Sequence, residues 1–436
     1  MSKLKRQLTL SGLTMIAIGS CIGSGIFITP ADSLARLPHQ GWVLFVWALG
    51  GVVAYLGALT FSELGSRFPG AGGVYVYIKE AYGPLPAFLY GWIILLIVNT
   101  GALAALAYAL VDYLNFFFPL EGPLKTGLAI VIIILLTIIN VLGVKTSQFV
   151  ATLFTSLKLL AIFFIILVGF WYAGTSGQSI NWNLSGDVPD GLLSGMLLAF
   201  VGVFWSTGGW HHATYLAGET IEPQKNVPKA MMYGTITVTV TYLLVILSFM
   251  LLVPMQEMAQ SDRIAGDALQ EVFTWGGRIV SIMISISIFG TIAIYTMSAP
   301  RIYFAMAEDK LFFKFLAQTH HKYKTPHYAM ILQSSWAIIL ILLWGSFIRI
   351  ITFVTFMDIL FMAIAASTIF VIRKKAKEEA PFKLKWYPWI PLAYLTVTVA
   401  FVLNTAWNLR AESLAGIVIL LAGFPCYWWF YHKKRH

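Results

Sequence analysis

The stretch Gly19-Ser20-Cys21-Ile22-Gly23-Ser24-Gly25-Ile26-Phe27 sits in the middle of an apolar segment, residues 10–33, and interrupts it. A helix crossing lipid has no reason to place glycines, serines and a thiol at mid-membrane depth, because any backbone freed there must find a new partner. Something else therefore uses that backbone. A second interruption, Phe204-Trp205-Ser206-Thr207-Gly208-Gly209-Trp210, falls in the middle of residues 192–217. Discontinuous helices at matching places in two halves of a chain point to the binding site of a secondary transporter.

Composition places the chain in a membrane: 58% of residues are hydrophobic and 11% charged, and mean hydropathy is +0.79. Apolar stretches occur near 10–33, 41–64, 86–112, 124–143, 149–173, 192–217, 229–253, 279–305, 328–347, 350–372, 388–409 and 414–431. Most reach the roughly 20 residues a spanning helix needs, which predicts twelve transmembrane helices. The first follows Lys3, Lys5 and Arg6 and continues past the length of a signal-peptide core, so no cleavable signal is expected.

A net charge of +10 invites a nucleic-acid reading, but its placement argues otherwise. With the N-terminus inside, the loops holding Arg67, Lys79, Lys145, Lys225, Lys229, residues 301–324 and residues 373–385 are cytoplasmic, as are both basic termini. The outer loops carry only Arg36, Lys125, Arg263, Arg278, Arg349 and Arg410. This is the positive-inside pattern of a multi-pass plasma (inner) membrane protein with both termini cytoplasmic. The basic balance therefore reads as topology and contact with anionic membrane lipid, with no nucleic-acid partner.

Cys21 and Cys426 both fall in apolar spans, so no disulfide-linked partner subunit is expected. No Cys/His spacing suggests a metal, no phosphate loop or Ser-His-Asp set is visible, and no cofactor is predicted. His211-His212 and His320-His321 are adjacent pairs, whose side chains diverge on a helix.

Spans one to five and six to ten form two sets within a single transmembrane domain, 1–436: a first repeat over 10–173 and a second over 192–372. Two further helices, 388–431, follow a basic linker. An odd number of spans per repeat inverts the second set relative to the first, bringing the two breaks face to face. The predicted fold is therefore an all-α integral membrane protein of the LeuT type, with 5+5 inverted repeats and discontinuous helices 1 and 6.

The motifs also carry a family resemblance. Gly23-Ser24-Gly25-Ile26-Phe27, then Tyr55-Leu56-Gly57-Ala58-Leu59-Thr60-Phe61-Ser62-Glu63-Leu64-Gly65 running into Pro69-Gly70-Ala71-Gly72-Gly73-Val74-Tyr75, resemble the amino acid/polyamine/organocation superfamily. Gly218-Glu219 with Glu222-Pro223-Gln224-Lys225-Asn226-Val227-Pro228, and Arg301-Ile302-Tyr303-Phe304-Ala305-Met306-Ala307, are similar to the L-type amino acid transporters and their bacterial relatives. The resemblance covers nearly the whole chain, with the motifs in order.

An amino acid brings a carboxylate and an ammonium, both costly to dehydrate unless paired or hydrogen-bonded. Gly23, Ser24 and Gly25 suit the carboxylate, since small side chains admit it to exposed N–H groups at a helix start. Freed carbonyls near Gly19, Ile22, Trp205 and Ser206 suit the ammonium, with Thr207 and Gly208 completing the second break. The resemblance implies the same assignment. The competing reading is a glycine-rich helix-packing face. Trp205 matches the position where the family carries an aromatic gate that closes over substrate; ordinary packing is the alternative.

Lys158 is the lone cation inside a span and must face a cavity or polar backbone. Its position resembles that of a Lys in sodium-independent relatives, beside the unwound first helix, where an ammonium replaces a bound cation. Snorkelling to the surface and a purely structural brace are the alternatives. Accessory candidates are Asn99, His211 with His212, and Asp358. Glu219 and Glu222, among Lys225 and Lys229, suggest a solvated ion pair at an inner gate.

With no acid at either break and Lys158 repelling cationic side chains, neutral L-amino acids are the expected substrates. The resemblance adds sodium-independent exchange by alternating access. A proton-coupled amino acid or amine symporter is the alternative; a channel would need polar rings and an enzyme a nucleophile or metal cluster, and the sequence offers neither.

Overall fold

Backbone shielded from water must pair within its own segment, so apolar stretches of this length fold as helices. The computed structural model describes residues 4–37, 39–176, 180, 191–261, 264–343 and 347–433, without the side chains of 347–351, 412 and 433. Lys3, Arg263 and the final three residues of the topology argument, with the side chains of Arg349 and Lys433, lie outside them.

The first half begins with α1 (Leu10–Cys21), a 3-10 turn at Gly25–Phe27 and α2 (Thr29–Arg36). Next come α3 (Gln40–Arg67), the short α4 (Val74–Tyr82) and α5 (Pro84–Ile93). A π turn at Ile94–Val98 joins α5 to α6 (Asn99–Leu114), followed by α7 (Gly122–Val141) and α8 (Val144–Ser176). The second half opens with α9 (Leu192–Thr207), α10 (His212–Tyr215) and α11 (Pro223–Leu252). Short α12 (Met255–Gln260) and α13 (Ile264–Gln270) lead to α14 (Gly276–Ser298) and α15 (Pro300–Glu308). Then follow α16 (His327–Leu343), α17 (Phe347–Lys375), α18 (Trp389–Asn408) and α19 (Arg410–Lys433).

Sequence sets the helix starts. Thr9 accepts Gly12 N–H at 3.2 Å and caps α1. Prolines in the first turns of α2, α5, α7, α11 and α15 supply a helical φ where no N–H is needed.

Among the described residues, nine helices are long and apolar enough to cross a membrane, and α1, α9 and α16 are shorter apolar helices. Two of these three, α1 and α9, stop at the interruptions seen in the sequence. The continuous segment Pro84–Leu114 is almost wholly enclosed, whereas α7, α18 and α19 turn most of their surface outward. α1 is largely buried and packs against α8, α11 and α14.

Buried charge ties the ends of these helices together. Glu219 does not sit in a solvated cluster with Lys225 and Lys229. It is wholly buried and paired with Arg301 of α15, Nε to Oε2 at 2.7 Å and Nη2 to Oε1 at 2.9 Å. The 3-10 turn Ala217–Glu219 aims it inward, leaving Glu222 and Lys225 as an exposed pair at 3.5 Å. Glu63 at the end of α3 likewise accepts Arg373 Nε at 2.9 Å and Leu384 N–H at 2.8 Å, fastening the linker after α17.

Removing one member of a buried pair strands the other's charge, at a cost of about 3–5 kcal/mol. Arg301→Met should lower the thermal midpoint of the detergent-purified protein sharply, and the double variant Arg301→Met/Glu219→Leu should recover most of the loss. An unchanged midpoint in the single variant would contradict the pairing.

Candidate functional site: two helix breaks around a small cavity

α1 continues as helix through Gly19, Ser20 and Cys21 and turns extended at Ile22, so the first break is narrower than its glycine pattern implies. The reason is how its carbonyls are satisfied. Lys158 Nζ donates to Ile22 O at 2.6 Å, Gly19 O at 3.1 Å and Thr291 Oγ1 at 2.9 Å. Three acceptors use all three ammonium protons. Ser287 Oγ lies 3.1 Å from Gly23 O, and Tyr242 Oη 3.0 Å from Cys21 O. A helix end that would be ruinous in lipid is thus paired almost completely by side chains of α8, α11 and α14.

The donor side of this break is different. Ser24 and Gly25 N–H donate to no partner outside their own turn. Ser24 Oγ is buried and has no hydrogen-bond partner. Buried polar groups without partners are rare enough to demand a cause.

The second break begins at Gly208, not at Phe204: Trp205, Ser206 and Thr207 are still helical. Ser206 and Thr207 hydroxyls bond back to Gly202 O and Val203 O, both at 2.8 Å, which satisfies them inside the helix. Gly209 turns at φ +102°, with Ser20 O only 2.7 Å from where its Cβ would lie, so both conformation and contact require glycine. Ser20 Oγ reaches Gly209 O at 2.8 Å, and Thr29 Oγ1 meets Ser206 Oγ at 2.9 Å. The two breaks abut directly.

Beside them lies a cavity of about 30 Å³, room for a water or two. Trp205, Gly208 and Gly209 form one wall, Asn99 and Val98 another, with Asp358 and Thr355 of α17, His211, His212 and Tyr295 around them. Asp358 Oδ1 is buried without a partner. His212 stacks on Tyr295 with ring centres 4.4 Å apart, and its Nδ1 lies 2.5 Å from Ser298 Oγ.

Of the residues singled out in the sequence, the structure gathers Trp205, Gly208, Asn99, His211 and Asp358 around this cavity. Gly19, Ile22, Gly23, Ser24, Gly25 and Ser206 do not line it, and Thr207 borders a smaller neighbouring hollow. Trp205 and Ser206 cover the first break: Trp205 Cδ1 lies 3.0 Å and Ser206 Oγ 2.3 Å from the Cβ position of Gly25. Three of the four expected ammonium acceptors are engaged elsewhere, Gly19 O and Ile22 O by Lys158 and Ser206 O by Tyr242 at 3.0 Å. The premise that no acid serves the site also needs correction, because α17 brings Asp358 to the second break. Tyr242, Thr291 and Tyr295 escaped notice, being ordinary residues of apolar helices until the fold aims their hydroxyls at a break. Among the described residues, no group of three His, Cys, Asp or Glu could hold a metal.

Two broken apolar helices that abut, with a small cavity beside the second break, are features expected of a secondary transporter. The profile of the amino acid permease family matches residues 8–422, and the chain belongs to that family. It is 30% identical to the serine/threonine exchanger SteT of Bacillus subtilis, over 99% of this chain and 98% of that protein. It is also 30% identical to the large neutral amino acids transporter small subunit 2 of Rattus norvegicus, over 99% and 82% of the two chains. The b(0,+)-type amino acid transporter 1 of Mus musculus is 29% identical, over 98% and 88%. By name these relatives are an exchanger and two transporters.

The glycines of the first break are not equivalent. A Cβ at Gly23 meets its nearest atoms at an ordinary 3.6 Å, whereas at Gly25 it strikes Ser206 and Trp205. Gly25→Ala should therefore destabilise the purified protein by about 1–3 kcal/mol and Gly23→Ala by less than about 0.5 kcal/mol, read from thermal unfolding. Equal midpoints for the two variants would refute the contact.

Proposed function

We propose that this protein is a sodium-independent exchanger of neutral L-amino acids, working by alternating access in the plasma (inner) membrane with both termini cytoplasmic. The fold read here is the twelve-span LeuT type, with inverted repeats over 10–173 and 192–372 and two added helices at 388–431. The observation that carries the reading is Lys158. A wholly buried ammonium bonds the carbonyls of the first break, so the chain supplies its own cation where a sodium-coupled relative would bind one.

The substrate carboxylate goes to Ser24 and Gly25 N–H with the unpartnered Ser24 Oγ, where the short turn and its dipole favour an anion. The substrate ammonium goes to the C-terminal end of α9, where the carbonyls of Trp205 and Thr207 receive no backbone N–H from beyond the helix. Trp205 touches Gly25 and also lines the cavity, so its indole must swing for both ends of the substrate to engage, which suits a gate. The side chain then lies against Asn99, His211, Thr355 and Asp358. The free Oδ1 of Asp358 favours a hydroxyl or amide donor, in keeping with the serine/threonine exchanger among the relatives. Asp358 beside His211 is also the observation that favours the second reading, a proton-coupled symporter.

Initial uptake rates into proteoliposomes should be equal in sodium and choline media, and should depend on amino acid preloaded inside. Lys158→Ala should lose most of the rate while remaining monodisperse, and Lys158→Arg should not fully restore it, because a planar fork cannot replace a compact ammonium. Steep sodium dependence, or full activity in the alanine variant, would refute the reading. Uptake driven by an inward pH gradient without internal substrate would select the symporter.

A further inference from the structure

Away from the transport cavity, a second hollow of about 500 Å³ opens at the surface of the bundle between α5, α16 and α19. α19 packs on α5 at Gly423, where Leu89 and Trp92 come within 2.7 and 2.9 Å of the position a Cβ would take. Two residues on, Pro425 removes a rung from the ladder of α19, and it lines the hollow with Cys426. Leu95 and Leu96 of the π turn, Leu332 and Trp336 of α16, Phe312 and Phe313, and Trp429 and Phe430 of α19 form the rest of the wall. Of the three indoles that line it, two have their N–H spent: Trp92 Nε1 donates to Ile419 O and Trp336 Nε1 to Leu96 O, each at 3.1 Å. What faces the hollow is hydrocarbon, ring faces and sulfur. Water finds no set of partners there, and the lining suits an apolar chain.

The loop after α15 adds charge. Lys310 and Lys314 bracket Phe312 and Phe313, both are exposed, and neither pairs with a carboxylate among the described residues. The adjacent Asp309 is taken by Lys79 at 2.8 Å. These ammonium groups, within two residues in sequence of the slot-lining Phe312 and Phe313, complement an anionic headgroup whose acyl tail enters the slot.

We propose that this hollow is a binding site for an anionic phospholipid, its phosphate at Lys310 and Lys314 and one acyl chain against Trp92, Leu95, Leu96 and Trp336. The site lies in the cytoplasmic leaflet, which rests on the topology proposed above. Its consequence runs through the π turn Ile94–Val98. Leu95 and Leu96 face the hollow, while Ile94 and Val98 line the transport cavity. A bound chain therefore packs on Leu95 and Leu96 of the same five-residue turn whose Ile94 and Val98 line the cavity, and π turns of this kind recur at functional sites. Lipid binding to the folded protein stabilises it by mass action.

Thermal unfolding of the detergent-purified protein, titrated with phosphatidylglycerol or phosphatidylcholine, tests this. Phosphatidylglycerol should raise the midpoint saturably and phosphatidylcholine much less. The rise should disappear in Lys310→Ala/Lys314→Ala and in Cys426→Phe, which fills the slot, but persist in Lys374→Ala/Lys377→Ala, which removes equal charge elsewhere. Equal shifts with the two lipids, or a shift surviving in both site variants, would overturn the site. Loss of the shift in the Lys374/Lys377 variant would assign it to bulk charge and overturn it too. None of these outcomes bears on sodium dependence, so failure here leaves the transport proposal to its own test.

Discussion

The structure depends on one interaction, the bonding of the Lys158 ammonium to the end of α1. Each component would be untenable alone. Orphan carbonyls at mid-helix depth cost about 1–3 kcal/mol apiece, and a cation without partners costs more in the same surroundings. Together, Gly19 O, Ile22 O and Thr291 Oγ1 absorb every ammonium proton. The carbonyls of the break are thus paired by the chain itself, and on the proposed reading its donor side is left available to substrate.

From that point the two breaks are coupled. Tyr242 Oη lies 3.0 Å from both Cys21 O and Ser206 O, Ser20 reaches across to Gly209, and Thr29 meets Ser206. Trp205 packs on Gly25 at the same place. A shift of α9 and α10 therefore cannot leave α1 and α2 where they are. On the proposed reading, substrate binding acts by replacing these contacts with its own, and the small cavity enlarges only as Trp205 leaves Gly25.

Much of this was legible in the chain. Apolar runs, the two glycine-rich interruptions and a single cation inside a span located the helices, the breaks and Lys158. The limits of the breaks were less legible. Whether Ser206 and Thr207 stay helical depends on where the chain turns, which Gly209 does at φ +102° against Ser20, and whether α1 ends at Gly19 or Ile22 depends on what α8 and α14 present. Hydropathy records neither. Glu219 was misread for a similar reason: its charged neighbours in sequence are on the surface, while its partner, Arg301, arrives from a helix eighty residues on. Asp358 could be seen as a polar intruder, but its place at the second break needed the path of α17.

The central claim is that Lys158, and not a solute cation, holds the first break. Hydrogen exchange of residues 19–25, followed by mass spectrometry in sodium-free and sodium buffers, measures this directly. The account predicts equal protection of this segment in both buffers for the natural protein, and faster exchange confined to it and the facing part of α14 in Lys158→Met. Protection that rises on adding sodium, or that is unchanged in the variant, would contradict it.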